Sequence, residues 1–176
     1  WTDALPARYP HPTAKSSDAP DAVRLYRQLL SQQPDQSVVI CTIGFFTNLS
    51  ALLESPSDAY SALTGRELVA RKVKRLVAMA GEFPAGREFN VYCDAEASKV
   101  VAEQWPTEII FSGFEIGDKV FTGRRLVEMP VENSPVKEAY AMSVAGGDDE
   151  DRMSWDQTAV LVAIKGAAPY FDMERG

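Results

Sequence analysis

The sequence predicts an α/β fold, an open and mostly parallel sheet with helices on both faces. Three observations predict it. Val38-Val39-Ile40-Cys41-Thr42-Ile43 is a β-branched run of strand length without polar alternation, the pattern of a parallel strand covered on both faces. Further strands, Arg75-Leu76-Val77-Ala78-Met79 and Ile109-Ile110-Phe111, alternate with segments of helical periodicity, which implies parallel pairing. Finally, Gly44-Phe45-Phe46-Thr47-Asn48, Glu88-Phe89-Asn90, Asp94-Ala95-Glu96-Ala97 and Ser154-Trp155-Asp156 each fall where a strand gives way to a loop or helix. Polar groups at the carboxyl ends of such strands converge on one crevice, where these folds bind ligands.

The elements follow in order. A Pro-rich surface segment reaches Lys15, and Ser16-Ser17-Asp18-Ala19-Pro20 leads to a capped helix whose Val23, Tyr26, Leu29 and Leu30 share one face. Gln33-Pro34-Asp35 breaks that pattern before the first strand. Gly44 opens a tight turn, and Thr47 or Asn48 is positioned to cap a helix carrying Leu49, Leu52 and Leu53. A helix from Gly65 to Val73 feeds the second strand, with Arg71-Lys72-Val73-Lys74-Arg75 as its exposed end. Asp94 caps a helix bearing Ala97, Val100 and Val101, with Glu96 complementing its dipole. A short helix runs from Val136 to Met142, and a mostly apolar one from Trp155 to Ile164. No repeat or interdomain linker interrupts the chain, so residues 1–176 read as a single α/β domain.

Composition narrows the function. Formal charge is −7, which argues against a general attraction to nucleic acid or to an anionic membrane. No apolar run is long enough to span a bilayer, and the start has no secretory core. Cys41 and Cys93 lie in apolar, strand-like surroundings without zinc spacing and read as buried thiols, which leaves the compartment, cytoplasmic or periplasmic, unassigned. A start at Trp1 in place of Met predicts a processed chain or a piece of something larger.

The polar segments suggest polyol or metal chemistry. Asn both donates to and accepts from hydroxyls, and a carboxylate accepts two hydroxyl hydrogens at once. If Glu88-Phe89-Asn90 is extended, Glu88 and Asn90 share a face and Phe89 points into the core; the other reading is an exposed strand edge. Met79, ending the preceding strand, is either core filler or ligand wall. Asp156 sits in the first turn of its helix, either compensating the dipole or offering a hard oxygen to Ca²⁺. Asp148-Asp149-Glu150-Asp151 reads as a solvated loop, and His11, in the Pro-rich segment, has no motif around it.

Taken together, these segments resemble a known family. Ile43-Gly44-Phe45-Phe46-Thr47-Asn48-Leu49, Glu88-Phe89-Asn90-Val91, Asp94-Ala95-Glu96-Ala97 and Ser154-Trp155-Asp156-Gln157-Thr158-Ala159-Val160 are similar, in order and rough spacing, to motifs of the inosine-uridine preferring nucleoside hydrolases. The resemblance runs from about Ser31 to the C-terminus. It implies a Rossmann-like sheet of nucleoside hydrolase type, incomplete here, and hydrolysis of the N-glycosidic bond of ribonucleosides to ribose and free base. By the same resemblance, calcium is the cofactor, held by the Ile43 carbonyl and the Asp156 carboxylate; Met79, Glu88, Asn90 and Trp155 bind substrate; and Asp94 and Asn48 organise helix starts. The resemblance further implies a salvage enzyme that is a homo-oligomer or works with a second chain.

The sequence departs from the family in two places. The Asp-rich loop that supplies the catalytic base and most calcium ligands is missing from the start, so no residue is assigned as the catalytic base. Trp155 stands where many members carry a His that protonates the leaving base, which indole cannot do at neutral pH. The expectation is therefore a ribose-binding half of a nucleoside hydrolase, with a non-catalytic ribose- or nucleoside-binding protein of the same fold as the alternative.

Overall fold

The computed structural model describes residues 2–13, 15–144 and 151–174. After α1 (Ala4–Arg8) and a 3-10 turn at Ser16–Asp18 come α2 (Ala22–Ser31), β1 (Val38–Thr42), α3 (Thr47–Glu54), α4 (Gly65–Lys72) and β2 (Val73–Met79). Then follow α5 (Phe89–Tyr92), α6 (Ala95–Gln104), β3 (Glu108–Ser112) and α7 (Phe114–Gly117). The last elements are β4 (Phe121–Thr122), α8 (Arg124–Glu128), α9 (Pro135–Val144), β5 (Arg152–Met153) and α10 (Trp155–Lys165). Two compact units result: Pro20–Gly117 with Trp155–Gly176, and Trp1–Ala19 with Asp118–Ser154.

The larger unit is built on the parallel sheet β1-β2-β3, with Cys41 beside Val77, Val77 beside Ile110 and Met79 beside Ser112. Alternation along β2 sends Leu76 and Ala78 to one face, where Leu30, Leu49, Leu52, Leu68, Val69 and Val101 close over them. Val77 and Met79 go to the other face, against Ala159 and Val162 of α10. The α/β class with flanking helices agrees with the sequence, but the expected two-sided burial holds for β2 and not for β1. Among the described residues β1 is an edge of the sheet, with Val39 36% exposed.

Helix starts follow local chemistry. Asp21 Oδ1 accepts from Arg24 N at 2.8 Å, the Thr64–Glu67 pair forms a capping box, and Asp94 Oδ1 accepts from Ala97 N at 3.2 Å. The start of α3 differs from expectation. Its cap position is Phe46, without a side-chain bond, because the Thr47 hydroxyl donates to Asp94 Oδ2 instead.

Arg27, on α2, is 2% exposed and holds the loop between α3 and α4. It donates to Ser55 Oγ (2.9 Å), Asp58 Oδ1 (3.1 Å) and the carbonyls of Ser61 (3.2 Å) and Leu63 (2.8 Å). Its Nε lies 2.8 Å from Asp58 Oδ2, an ion-pair contact off the line of a hydrogen bond. This pairing holds the Asp58 carboxyl below its ordinary value.

In the smaller unit, β4 and β5 pair antiparallel, with Phe121 opposite Met153. Arg8 pairs with Glu138, and Asp151 Oδ1 accepts from Arg124 N at 2.8 Å, at the start of α8. Asp151 is thus a helix-start acceptor; Asp148, Asp149 and Glu150, the rest of the expected solvated loop, lie outside the described residues. Among the described residues, no helix is long and apolar enough to cross a membrane. Both cysteines are free, but the expectation of burial fails: Cys41 is half-buried on the edge strand and Cys93 is exposed just after α5.

Candidate functional site

At the carboxyl end of β2 the chain turns at Gly81 and returns to place α5 above Met79. Met79 is 4% exposed, and Asn90 Nδ2 donates to its carbonyl at 3.0 Å and to its thioether sulfur at 3.3 Å. Those two bonds use both hydrogens of the Asn90 amide, so Oδ1 remains as an acceptor. Glu88 is the cap residue of α5: Oε1 accepts from Asn90 N at 2.8 Å, and Oε2 from Val91 N at 3.1 Å and Gly81 N at 3.2 Å.

This arrangement corrects the extended reading of Glu88-Phe89-Asn90. The tripeptide starts a short helix, Glu88 is 6% exposed in place of lying on an open strand edge, and Phe89 is 56% exposed in place of entering the core. Phe89 packs against Phe45 (ring centroids 5.8 Å apart) and edge-on to Tyr92 (5.4 Å), whose ring carries the Arg87 guanidinium at 4.2 Å. These rings form an exposed aromatic shelf beside Asn90.

Asp156, in the first turn of α10, comes to the same end of the sheet. Burial first, and then the charge of Glu88, push its carboxyl above the ordinary value. Burial, and then the charge of Asp156, likewise raise the Cys41 thiol. Asp156 is still exposed at the surface, and it feels the charge of Glu88 with no basic side chain paired to it among the described residues, a setting that favours a cation. The donor set nevertheless falls short of a calcium sphere. Ca²⁺ takes about 6–8 oxygens, three Glu88 acceptor directions are spent on backbone N–H groups, and no cluster of three or more metal-binding side chains occurs among the described residues.

The family model described as inosine-uridine preferring nucleoside hydrolase matches residues 3–174. The chain belongs to this family. Its fold is similar to that of a solved plant nucleoside hydrolase, the PpNRh1 enzyme, at 19% identity and a TM-score of 0.65, over 93% of this chain and 52% of that one. The chain therefore spans about half the length of that relative. No curated protein matches it. Nucleoside hydrolases are in general metal-dependent.

The remaining residues singled out in the sequence fall into two groups. Ile43 follows β1 at the same end of the sheet, and Asp94 joins the starts of α3 and α6 through Thr47; Asn48 is exposed on α3. Trp155, by contrast, is turned inward. Its Nε1 donates to the Phe114 carbonyl at 3.1 Å, its ring stacks on Phe114 at 5.2 Å, and Gly117 lies so close that a Cβ there would collide with the Trp155 backbone. His11 is exposed and bonded to the Thr13 carbonyl in the other unit. Sequence reasoning missed Gly81, whose φ of +82° permits the turn toward Glu88, and Cys41, whose thiol feels the charge of Asp156. A glycine directly after an apolar strand was the available signal for the first; nothing local marked the second. A cavity of about 480 Å³ lies elsewhere, lined by Arg24, Tyr60 and Arg27 among others, and involves none of these residues.

Proposed function

We propose that this chain forms the ribose-binding part of a calcium-dependent nucleoside hydrolase, which adds water across the N-glycosidic bond of a ribonucleoside and releases ribose and base. The observation that carries the reading is the convergence of Asn90 Oδ1, the Met79 wall and the Asp156 carboxylate at the carboxyl end of one parallel sheet. In that reaction the C1′–N bond breaks as the water oxygen bonds C1′, and the base leaves with a proton. Positive charge developing on the ribose ring is stabilised by nearby carboxylates, and Asp156 and Glu88 supply that field.

Calcium is the proposed cation, with Asp156 and the Ile43 carbonyl as its ligands in this chain. The further oxygens it needs would come from a second copy or a second chain. Trp155, with its indole N–H already bonded to Phe114, is assigned to holding its neighbour Asp156 in place and not to proton transfer.

Incubating the protein with inosine, uridine and a wider nucleoside panel should release reducing sugar, and a chelator should abolish the release. Ca²⁺ should raise the thermal midpoint of the wild type and leave Asp156→Asn unmoved; an equal rise in both would remove Asp156 from the proposed ligand set. The shortfall of metal donors among the described residues favours one alternative, a ribose- or nucleoside-binding protein without turnover. Ribose binding by calorimetry with no sugar release from any nucleoside would select it.

A further inference from the structure

We infer that Thr47 and Asp94 are a positioning pair: their hydrogen bond clamps the turn that carries the Ile43 carbonyl to the segment that carries Asn90, and so sets how far a cation and a sugar assist each other's binding. The inference rests on the calcium and ribose reading above. The turn between β1 and α3 is residues 43–46, and Phe46, 2% exposed, anchors it in the core. The residues on either side of Phe46 are exposed, and both find partners on the stretch from α5 to α6. Phe45 packs against the Phe89 ring, centroids 5.8 Å apart, and the Thr47 hydroxyl donates to Asp94 Oδ2.

Asp94 suits this task because each of its oxygens has its own partner. Oδ1 accepts from Ala97 N at 3.2 Å and caps α6, which leaves Oδ2 for Thr47. The Thr47 bond is the first cause that holds the Asp94 carboxyl below its ordinary value, and an ionised acceptor makes the stronger kind of hydrogen bond. From Asp94 the connection continues inward. The buried Ser98 hydroxyl lies 2.8 Å from the Asp94 carbonyl and 3.0 Å from the Val91 carbonyl, and so ties Asp94 to α5. Asn90, on α5, is bonded in turn to Met79 at the end of β2. A ribose that meets both a cation at the Ile43 carbonyl and the acceptor of Asn90 needs these two pieces in register. Breaking the bridge should therefore weaken their mutual assistance more than it weakens either site alone.

The test is calorimetry of the 176-residue chain with CaCl₂ and with D-ribose, each alone and in the presence of the other, in the wild type, Thr47→Val and Thr47→Ser. Valine keeps the shape of threonine and leaves the α6 cap in place, so only the hydroxyl is lost; serine restores it. In the wild type each ligand should strengthen the other by one common factor, as linkage requires. That factor should shrink about fivefold in Thr47→Val, the low end of typical coupling, and return in Thr47→Ser. An unchanged factor in Thr47→Val, or one that serine does not restore, overturns the inference. A second readout needs no ligand. The NMR cross-relaxation between the Phe45 and Phe89 rings should weaken in Thr47→Val while the Ala97 amide keeps its exchange protection, and an undiminished ring contact overturns the clamp. If the wild type does not bind both ligands, the site reading fails, and the ring contact alone decides whether Thr47 and Asp94 hold the turn.

Discussion

Trp155 illustrates how one residue's contacts decide its chemistry. Its position in the motif invites a role at the leaving base, but an indole carries one N–H and no acceptor. That N–H is spent on the Phe114 carbonyl, and the half-buried ring stacks on Phe114 against the core cluster that α10 joins. The contribution expected of Trp155 is therefore to stability and to the placement of its neighbour Asp156. Trp155→Phe keeps the stacked ring and removes the bond, so it should cost about 1 kcal/mol, seen as a fall of roughly 2–4 °C in the thermal midpoint for a chain of this size. If nucleoside hydrolysis is present, Trp155→Phe should leave most of it intact. A loss of turnover without a loss of stability would instead place the indole N–H in the chemistry.

At the scale of elements, one buried arginine organises a region without regular structure. The loop between α3 and α4 has few apolar side chains to bury, and Arg27 supplies donors to Ser55, Asp58 and two carbonyls at once. Arg27→Met fills similar volume but strands those acceptors, so it should destabilise by about 3 kcal/mol, the low end for a buried ion pair that loses one member. Urea denaturation should show a lower midpoint at unchanged slope; a change under about 1 kcal/mol would mean that water replaces the guanidinium. None of this was legible in the sequence, since the partners lie far along the chain from Arg27. The strands and longer helices were legible because their signals are local: a β-branched run at Val38 to Ile43, and a capping residue at Asp94. The segment at Glu88 was not, because four helical residues are too few to show a period and Glu is not among the preferred cap residues. Thr47 failed as a cap for the reason that hid Arg27, a partner 47 residues away. Apolar runs likewise identify strands without saying which of them lie at an edge, so the run at β1 read only as a strand covered on both faces. For the candidate site, the residue types and their order were readable, whereas the commitment of Glu88, Asn90 and Trp155 to internal partners was not.

At the scale of the larger unit, the paired carboxylates set the response to acid. Asp58 beside Arg27, Asp35 beside Lys72, Asp94 under Thr47 and Glu67 in its capping box are all held below their ordinary values, first by a hydrogen bond from the named partner in each case. Depressed carboxyls bind fewer protons in the native state than in the unfolded one. Their contribution is complete above the unfolded values, about 4, and is lost as pH falls through the lower native values. Asp156 runs the other way, because burial and Glu88 raise it, so its ionisation subtracts stability as pH climbs from about 4 toward its raised value. Four groups against one make acid destabilising on balance. The denaturation midpoint should therefore stay high from neutral pH to about 5 and drop below about 4. Asp58→Asn separates this from a general charge effect: the variant should start lower at neutral pH and lose less on acidification, because the proton that breaks the Arg27 pair has nowhere to bind. Parallel pH profiles for variant and wild type would show that the Arg27–Asp58 pair takes no part in acid unfolding, and would move the effect to the other three carboxyls.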